Sequence, residues 1–127
     1  MKYKTEIIMI IVIFSIISIL EVFTCKNTEN VLKIMVNALD ELKQEIINQN
    51  NDKEKIKKIE EYWNKEMKTL ALYIEHDELE KVTNVISRLK GNVNNNQNGD
   101  SLENIEEIKF LLVHIKNKGD LSIQNVF

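Results

Sequence analysis

With 127 residues the chain has room for one small domain, and its net charge of −3 lacks the basic excess that a nucleic-acid-binding face needs. A single cysteine excludes an internal disulfide, so a folded body must hold together without one. Zero proline and three glycines leave few chain breakers, and long helices are expected.

Residues 7–20 form an unbroken run of apolar residues and serines, entered through Lys2 and Lys4. Such a run serves as an export signal or as a membrane anchor. Counted strictly it has the length of a signal core. Glu21, however, sits near one end, where a carboxylate reaches the headgroups. Read past it, residues 7–25 are just long enough to span at about 1.5 Å per residue. The small residues of a cleavage site are missing, and Phe23-Thr24 before Cys25 fits a lipid-attachment motif badly. Retention is therefore favoured over cleavage and over lipid modification, and Cys25 reads most simply as an unmodified thiol at the membrane edge. Lys2, Lys4 and the terminal amine before the run, with Glu21, Lys26 and Glu29 around its exit, favour a cytoplasmic N-terminus and an extracytoplasmic body. The margin is modest, because Glu6 dilutes one side and Lys26 the other. The chain thus divides into a signal-anchor, residues 1–25, and a helical body, residues 28–127. Asn27 or Thr28 could cap a fresh helix at the boundary, or the membrane helix could run straight on.

Four apolar stripes follow. Leu32, Met35, Leu39, Leu42 and Ile46 step three and four residues apart, as one helix face does. Ile56, Ile59, Trp63, Met67, Leu70 and Ile74 make a second stripe. Leu79, Val82, Ile86, Leu89 and Val93 make a third, and Ile105, Ile108, Leu112 and Ile115 a fourth. No segment alternates with period two, so strands are not expected. Residues 48–52 are a polar break in which Asp52 can cap the second helix. His76-Asp77 interrupts the pattern next, with Asp77 as the cap and negative start of the third helix. Residues 91–99 read as an asparagine-rich loop, Asp100 and Glu103 as a capping box, and Gly119 as the left-handed residue closing the fourth helix. Each stripe ends at a turn signal after about three heptads, and short connections favour antiparallel neighbours. The expected fold is all-α: an N-terminal transmembrane helix and then a small antiparallel bundle of about four helices. A coiled-coil homodimer built on the first stripe is the lesser alternative.

Glu75-His76-Asp77-Glu78 is the densest group of potential ligands, and His114 on the fourth helix could approach it. Zinc needs three or four converging ligands, and neither cysteine pairs nor H-x-x-x-H spacing is present. His76, Asp77 and His114 are thus metal candidates only if the bundle brings them together, and the simpler reading is a turn. Ser87, Ser101 and Ser122 lie in no nucleophile motif, and no glycine-rich phosphate loop exists. No catalysis and no cofactor are expected. Trp63 could form a recognition patch with Tyr62 and Tyr73, but a tryptophan on an apolar stripe is usually core.

The stretch W-N-K-E-M-K-T-L-A-L-Y-I-E-H-D-E-L-E at residues 63–80 resembles a known family, as do S-R-L-K at 87–90, F-L-L-V-H-I at 110–115 and L-S-I-Q-N-V-F at 121–127. Together with the N-terminal run they are similar to the bacterial domain of unknown function 4363, short proteins of low-GC Gram-positive bacteria with one hydrophobic segment and a helical remainder. Trp63, His76, Arg88, His114 and the Asn125-Val126-Phe127 stretch carry the likeness best. It implies no activity. It does imply that Asn125 and Phe127 dock on the bundle, with Asn125 satisfying helix-end backbone groups.

The expected role is a membrane-anchored, extracytoplasmic interaction or scaffold module. Its expected partners are the membrane and a membrane or cell-envelope protein, with a homo-oligomer as a further option. The alternative is a metal- or small-ligand-binding sensor using His76, His114 and nearby carboxylates, made pH-responsive by histidine.

Overall fold

A computed structural model of the chain describes residues 2–126, and the side-chain surroundings of residues 2–118. Among the described residues there are four helices and no strand: α1 (Lys2–Ile47), α2 (Lys53–Leu70), α3 (His76–Asn94) and α4 (Asn98–Val126). Each helix packs on the next in sequence and α4 returns to α1, so the four close into an up-down-up-down ring. The all-α expectation and the helix count both hold.

The stripes point inward as their spacing requires. Met35, Leu39, Leu42, Ile56, Trp63, Leu79, Ile86, Leu89, Ile105, Ile108 and Leu112 are all at or below 1 % exposure, in one continuous core. Trp63 belongs to that core, and its indole Nε1 donates to Thr83 Oγ1 at 2.9 Å. The Thr83 hydroxyl in turn lies 3.2 Å from the Leu79 carbonyl, so the buried polar pair is satisfied within the α2–α3 seam.

The boundary between anchor and body is not a break. α1 runs 46 residues without interruption, about 69 Å at the helical rise. Thr28 does not cap a new helix; its hydroxyl bonds back to the Thr24 carbonyl at 2.8 Å, inside the same helix. The two halves of α1 differ only in surroundings. From Ile7 (55 % exposed) through Phe14 and Leu20, its apolar side chains are exposed on every face, whereas Val31 to Ile46 present one buried stripe. An uncovered helix that is apolar on all sides fits a membrane span or a signal sequence. Among the described residues α1 is the one helix long and apolar enough to cross a membrane, which makes it a candidate span or signal anchor.

The helix ends correct several sequence expectations. Asp52 does cap α2, accepting from the backbone N–H groups of Glu54 and Lys55 at 3.0 and 3.2 Å. Asp77, by contrast, caps nothing: α3 begins at His76 with Glu75 in the cap position and no side-chain cap bond. Asp77 lies in the first turn, where its charge still complements the helix dipole. Residues 91–99 are not a loop. α3 extends through Asn94 because Val93 is fully buried, and only residues 95–97 connect it to α4. Asp100 is accordingly already inside α4, and the capping box with Glu103 does not form at the expected place.

Glycine plays no part in stopping these helices. Gly91 lies in α3, while Gly99 and Gly119 lie in α4, which continues past Gly119 through Val126. The left-handed stop residues are Gln49 (φ 61°) and Asn96 (φ 58°). Around each, two backbone bonds close the helix end: Asn50 N–H to Glu45 O and Gln49 N–H to Ile46 O after α1, then Gln97 N–H to Asn92 O and Asn96 N–H to Val93 O after α3. That is the Schellman arrangement, formed on non-glycine residues. α2 ends at Leu70, so Ile74 reaches its half-buried position from the α2–α3 turn and not from the helix.

Candidate functional site

The direction of α1 orders the bundle by distance from the apolar run. α1 leaves the apolar run and rises to residues 48–52; α2 descends to the turn at residues 71–75; α3 rises to residues 95–97; α4 descends again. The two upper links are joined by Asn51 Nδ2 donating to Asn96 Oδ1 at 2.7 Å. The lower turn is fastened to α1, where the Tyr73 hydroxyl accepts from Asn27 Nδ2 at 3.0 Å and lies 2.9 Å from Thr28 Oγ1.

Ion pairs fix each seam. Lys55 pairs with Glu45 at 2.7 Å between α1 and α2, and Lys90 with Glu60 at 3.0 Å between α2 and α3. Arg88 pairs with Glu107 at 3.3 Å between α3 and α4, on an exposed surface. Between α1 and α4, Lys43 meets Glu106 at 2.9 Å and Asp40 meets Lys109 at 2.8 Å. Asp40 raises Lys109 above its ordinary pKa through their hydrogen bond, while Lys43, assisted by Lys109, lowers Glu106. Glu45 likewise raises Lys55. These pairs set register more than stability, because most of them remain wet.

The histidines and acids singled out in the sequence are only partly brought together. His114 Nε2 stands 3.8 Å from the largely buried carboxylate of Glu78, beyond hydrogen-bond length. Lys118 approaches the same carboxylate at 3.4 Å and Glu75 at 3.3 Å, and Lys81 lies 3.8 Å from Glu78. Glu75 chiefly, then Glu78, raises the pKa of Lys118. His76 and Asp77 are exposed at the start of α3 and share no hydrogen bond or ion pair with His114. Among the described residues no group of three or more His, Cys, Asp or Glu is arranged to hold a metal ion. The carboxylate best placed to bind one, Glu78, faces lysines instead.

Trp63 is core and Arg88 makes a surface ion pair, so the proposed aromatic patch separates. Tyr62 is half-buried and raised in pKa by burial, and Tyr73 sits at the lower turn. The side chain of Asn125 and the whole of Phe127 lie outside the described residues. Sequence reading grouped Glu75 and Glu78 with His76 and Asp77 but missed Lys118, which pairs with both acids, and the Asn27–Thr28–Tyr73 contact.

The family model for a domain of unknown function (DUF4363) matches residues 22–126. The chain belongs to the DUF4363 family. The match starts at Val22, so it takes in the bundle and the upper part of α1, while residues 2–21 and most of the apolar run lie outside it. No curated relative and no solved structure matches the chain. In this chain the matched region is built from four packed stripes, and its first helix continues back into the apolar run.

Proposed function

We propose that this DUF4363 protein is a retained single-pass membrane protein whose extracytoplasmic bundle is an interaction or scaffold module for another membrane or cell-envelope protein. One observation carries the reading: a single unbroken helix is apolar on all faces over its first half and contributes the core stripe of the bundle over its second. Anchor and body are therefore one mechanical unit, and the bundle stands at a fixed place above the lipid. The charge before and after the run supports an N-terminus inside and a body outside. The described surfaces present ion pairs and solvated helix faces, which suit contact with a protein partner better than turnover of a small molecule.

Lysine-reactive crosslinking in native membranes tests this. A discrete adduct containing this chain and a second envelope protein is expected, and recovery of the free monomer alone, at crosslinker levels that trap known membrane complexes, would count against the proposal. Protease added outside intact cells should remove the body, and full protection there would reverse the orientation.

A further inference from the structure

We infer that the lower end of the bundle is itself a lipid-contacting surface, seated in the headgroup layer, so that the protein touches the membrane through its body as well as its anchor. The inference rests on the anchor reading above. Three observations lead to it, and none depends on the apolar run alone.

The first is height. Tyr73 is bonded to Asn27 and Thr28, and Thr28 is three residues, about 4.5 Å along the helix, beyond Cys25 at the end of the apolar run. The polar layer outside the hydrocarbon is about 5–7 Å thick on each side. Because α1 has no break between these points, the lower turn cannot swing away from that layer.

The second is what the turn presents. Leu72 is 83 % exposed, the most exposed large hydrophobic side chain outside the N-terminal helix among the described residues, and it is next to Tyr73. A lone exposed leucine on a soluble face needs no explanation. One on the membrane-facing turn, beside a tyrosine at headgroup height, matches the residue types of membrane interfaces.

The third is the reach of α4. The Lys43–Glu106 and Asp40–Lys109 pairs put α4 antiparallel to α1. The same register carries the last turn of α4, which is helical through Val126, down to about the level of Phe23. Glu21, Thr24, Cys25 and Thr28 are partly buried, which continues the covered stripe of α1 over this stretch. Residues 121–126 carry no charge, which suits a helix end at the hydrocarbon boundary. Lys26, Lys68 and Lys118 share this end with Glu29, Glu75, Asp77 and Glu78, so no basic excess steers the contact. It should not require anionic lipid.

The test is spin-label accessibility on the full chain in phosphatidylcholine vesicles, with and without phosphatidylglycerol. In a Cys25→Ser background, single labels are placed at Phe14→Cys in the apolar run, Leu72→Cys on the lower turn and Asn96→Cys on the upper link. Relaxation by oxygen is compared with relaxation by a water-soluble nickel complex. The expected oxygen-to-nickel ratio is highest at 14, lowest at 96, and at 72 several-fold above 96 in both lipid mixtures. A membrane-inserted label at 14 with equal ratios at 72 and 96 would overturn the inference and leave the anchor standing. A water-exposed label at 14 would overturn both. A label at 72 shielded from both reagents would mean that protein, not lipid, covers the turn.

Discussion

Replacing Trp63 probes the reasoning at its most exposed point, since the same residue could have been a recognition patch. Its side chain is fully buried between α2 and α3, with the indole N–H satisfied by Thr83. Trp63→Ala removes the ring and leaves a cavity that close-packed neighbours fill only in part, a loss of about 3–5 kcal/mol. Domains of this size carry about 5–15 kcal/mol in all, and each kcal/mol shifts the midpoint by about 4–8 °C, so a fall of roughly 12–40 °C is expected. Trp63→Phe keeps an aromatic ring in the stripe. It also leaves Thr83 its bond to the Leu79 carbonyl, so it should lose less than half as much. Thr83→Val instead strands the buried N–H, at about 1–3 kcal/mol, and should shift the emission of the chain's single tryptophan. The assay is urea and thermal unfolding of the full chain in micelles, followed by circular dichroism at 222 nm. A midpoint for Trp63→Ala within about 2 °C of the wild type would refute the core assignment and return Trp63 to a functional surface.

Further outcomes can be checked alongside. Gly91→Ala should stabilise the body by about 0.5–1 kcal/mol in the same unfolding assay, because Gly91 is helical and an added Cβ meets nothing within 4 Å. Asp52→Ala should cost about 1 kcal/mol through its two lost cap bonds, and Asp77→Ala, which breaks none, should cost less. The pH profile of the midpoint should fall at both ends. Glu106 is lowered, so its contribution is present above its unfolded value of about 4.3 and lost as pH falls through the lower folded value. Lys109 and Lys118 are raised, so theirs are present below about 10.4 and lost as pH rises through the higher folded values. Both limbs should flatten in high salt, since these pairs are solvated. Zinc at neutral pH should leave the midpoint unchanged, because His114 and Glu78 stand as a pair and Lys118 already faces the carboxylate; saturable stabilisation would reveal a site that the geometry does not show.

The parts of the fold legible in the sequence are those written in period. The stripes from Leu32 to Ile46 and from Ile105 to Ile115 are buried as spaced, and Asp52 caps where its side chain could only be a cap. The helix ends were harder to read, because burial outweighed local preference. Val93 is fully buried, and keeping it in the core draws Gly91, Asn92 and Asn94 into α3 although glycine and asparagine favour turns. The stop then falls at Asn96, where asparagine tolerates the left-handed region, and at Gln49, where nothing in the residue type announces it. The lower end of the bundle was less legible still. Tyr73 meets Asn27 across 46 positions of sequence, and such a contact depends on the lengths of two helices and a turn together. His76 and His114 drew notice by residue type, but the register gave Glu78 to His114 and to two lysines.

The continuity of α1 follows from what is missing between Glu21 and Asn30 as much as from what is present. Ending a helix takes a residue that leaves the helical region and a side chain or backbone group that takes up the freed bonds. This stretch has neither proline nor glycine, and three of its polar side chains are already engaged: Thr24 on the Glu21 carbonyl and Thr28 on the Thr24 carbonyl inside the helix, and Asn27 across to Tyr73 on the lower turn. The change from an all-round apolar helix to a one-stripe helix therefore happens with no joint. A bundle on a flexible linker would sample many orientations and show a partner any of its faces. A bundle continuous with the apolar helix holds each seam at a set distance from the apolar run. Arg88–Glu107 lies far along the bundle from it, and Glu75, Glu78 and Lys118 lie near it. Inserting a short glycine-serine linker after Asn27 would leave every core stripe intact while removing that constraint. If the role is to meet an envelope partner at a fixed height, the insertion should abolish crosslinking to it with no change in the unfolding midpoint of the body. Undiminished crosslinking would show that the anchor serves only to keep the protein at the membrane.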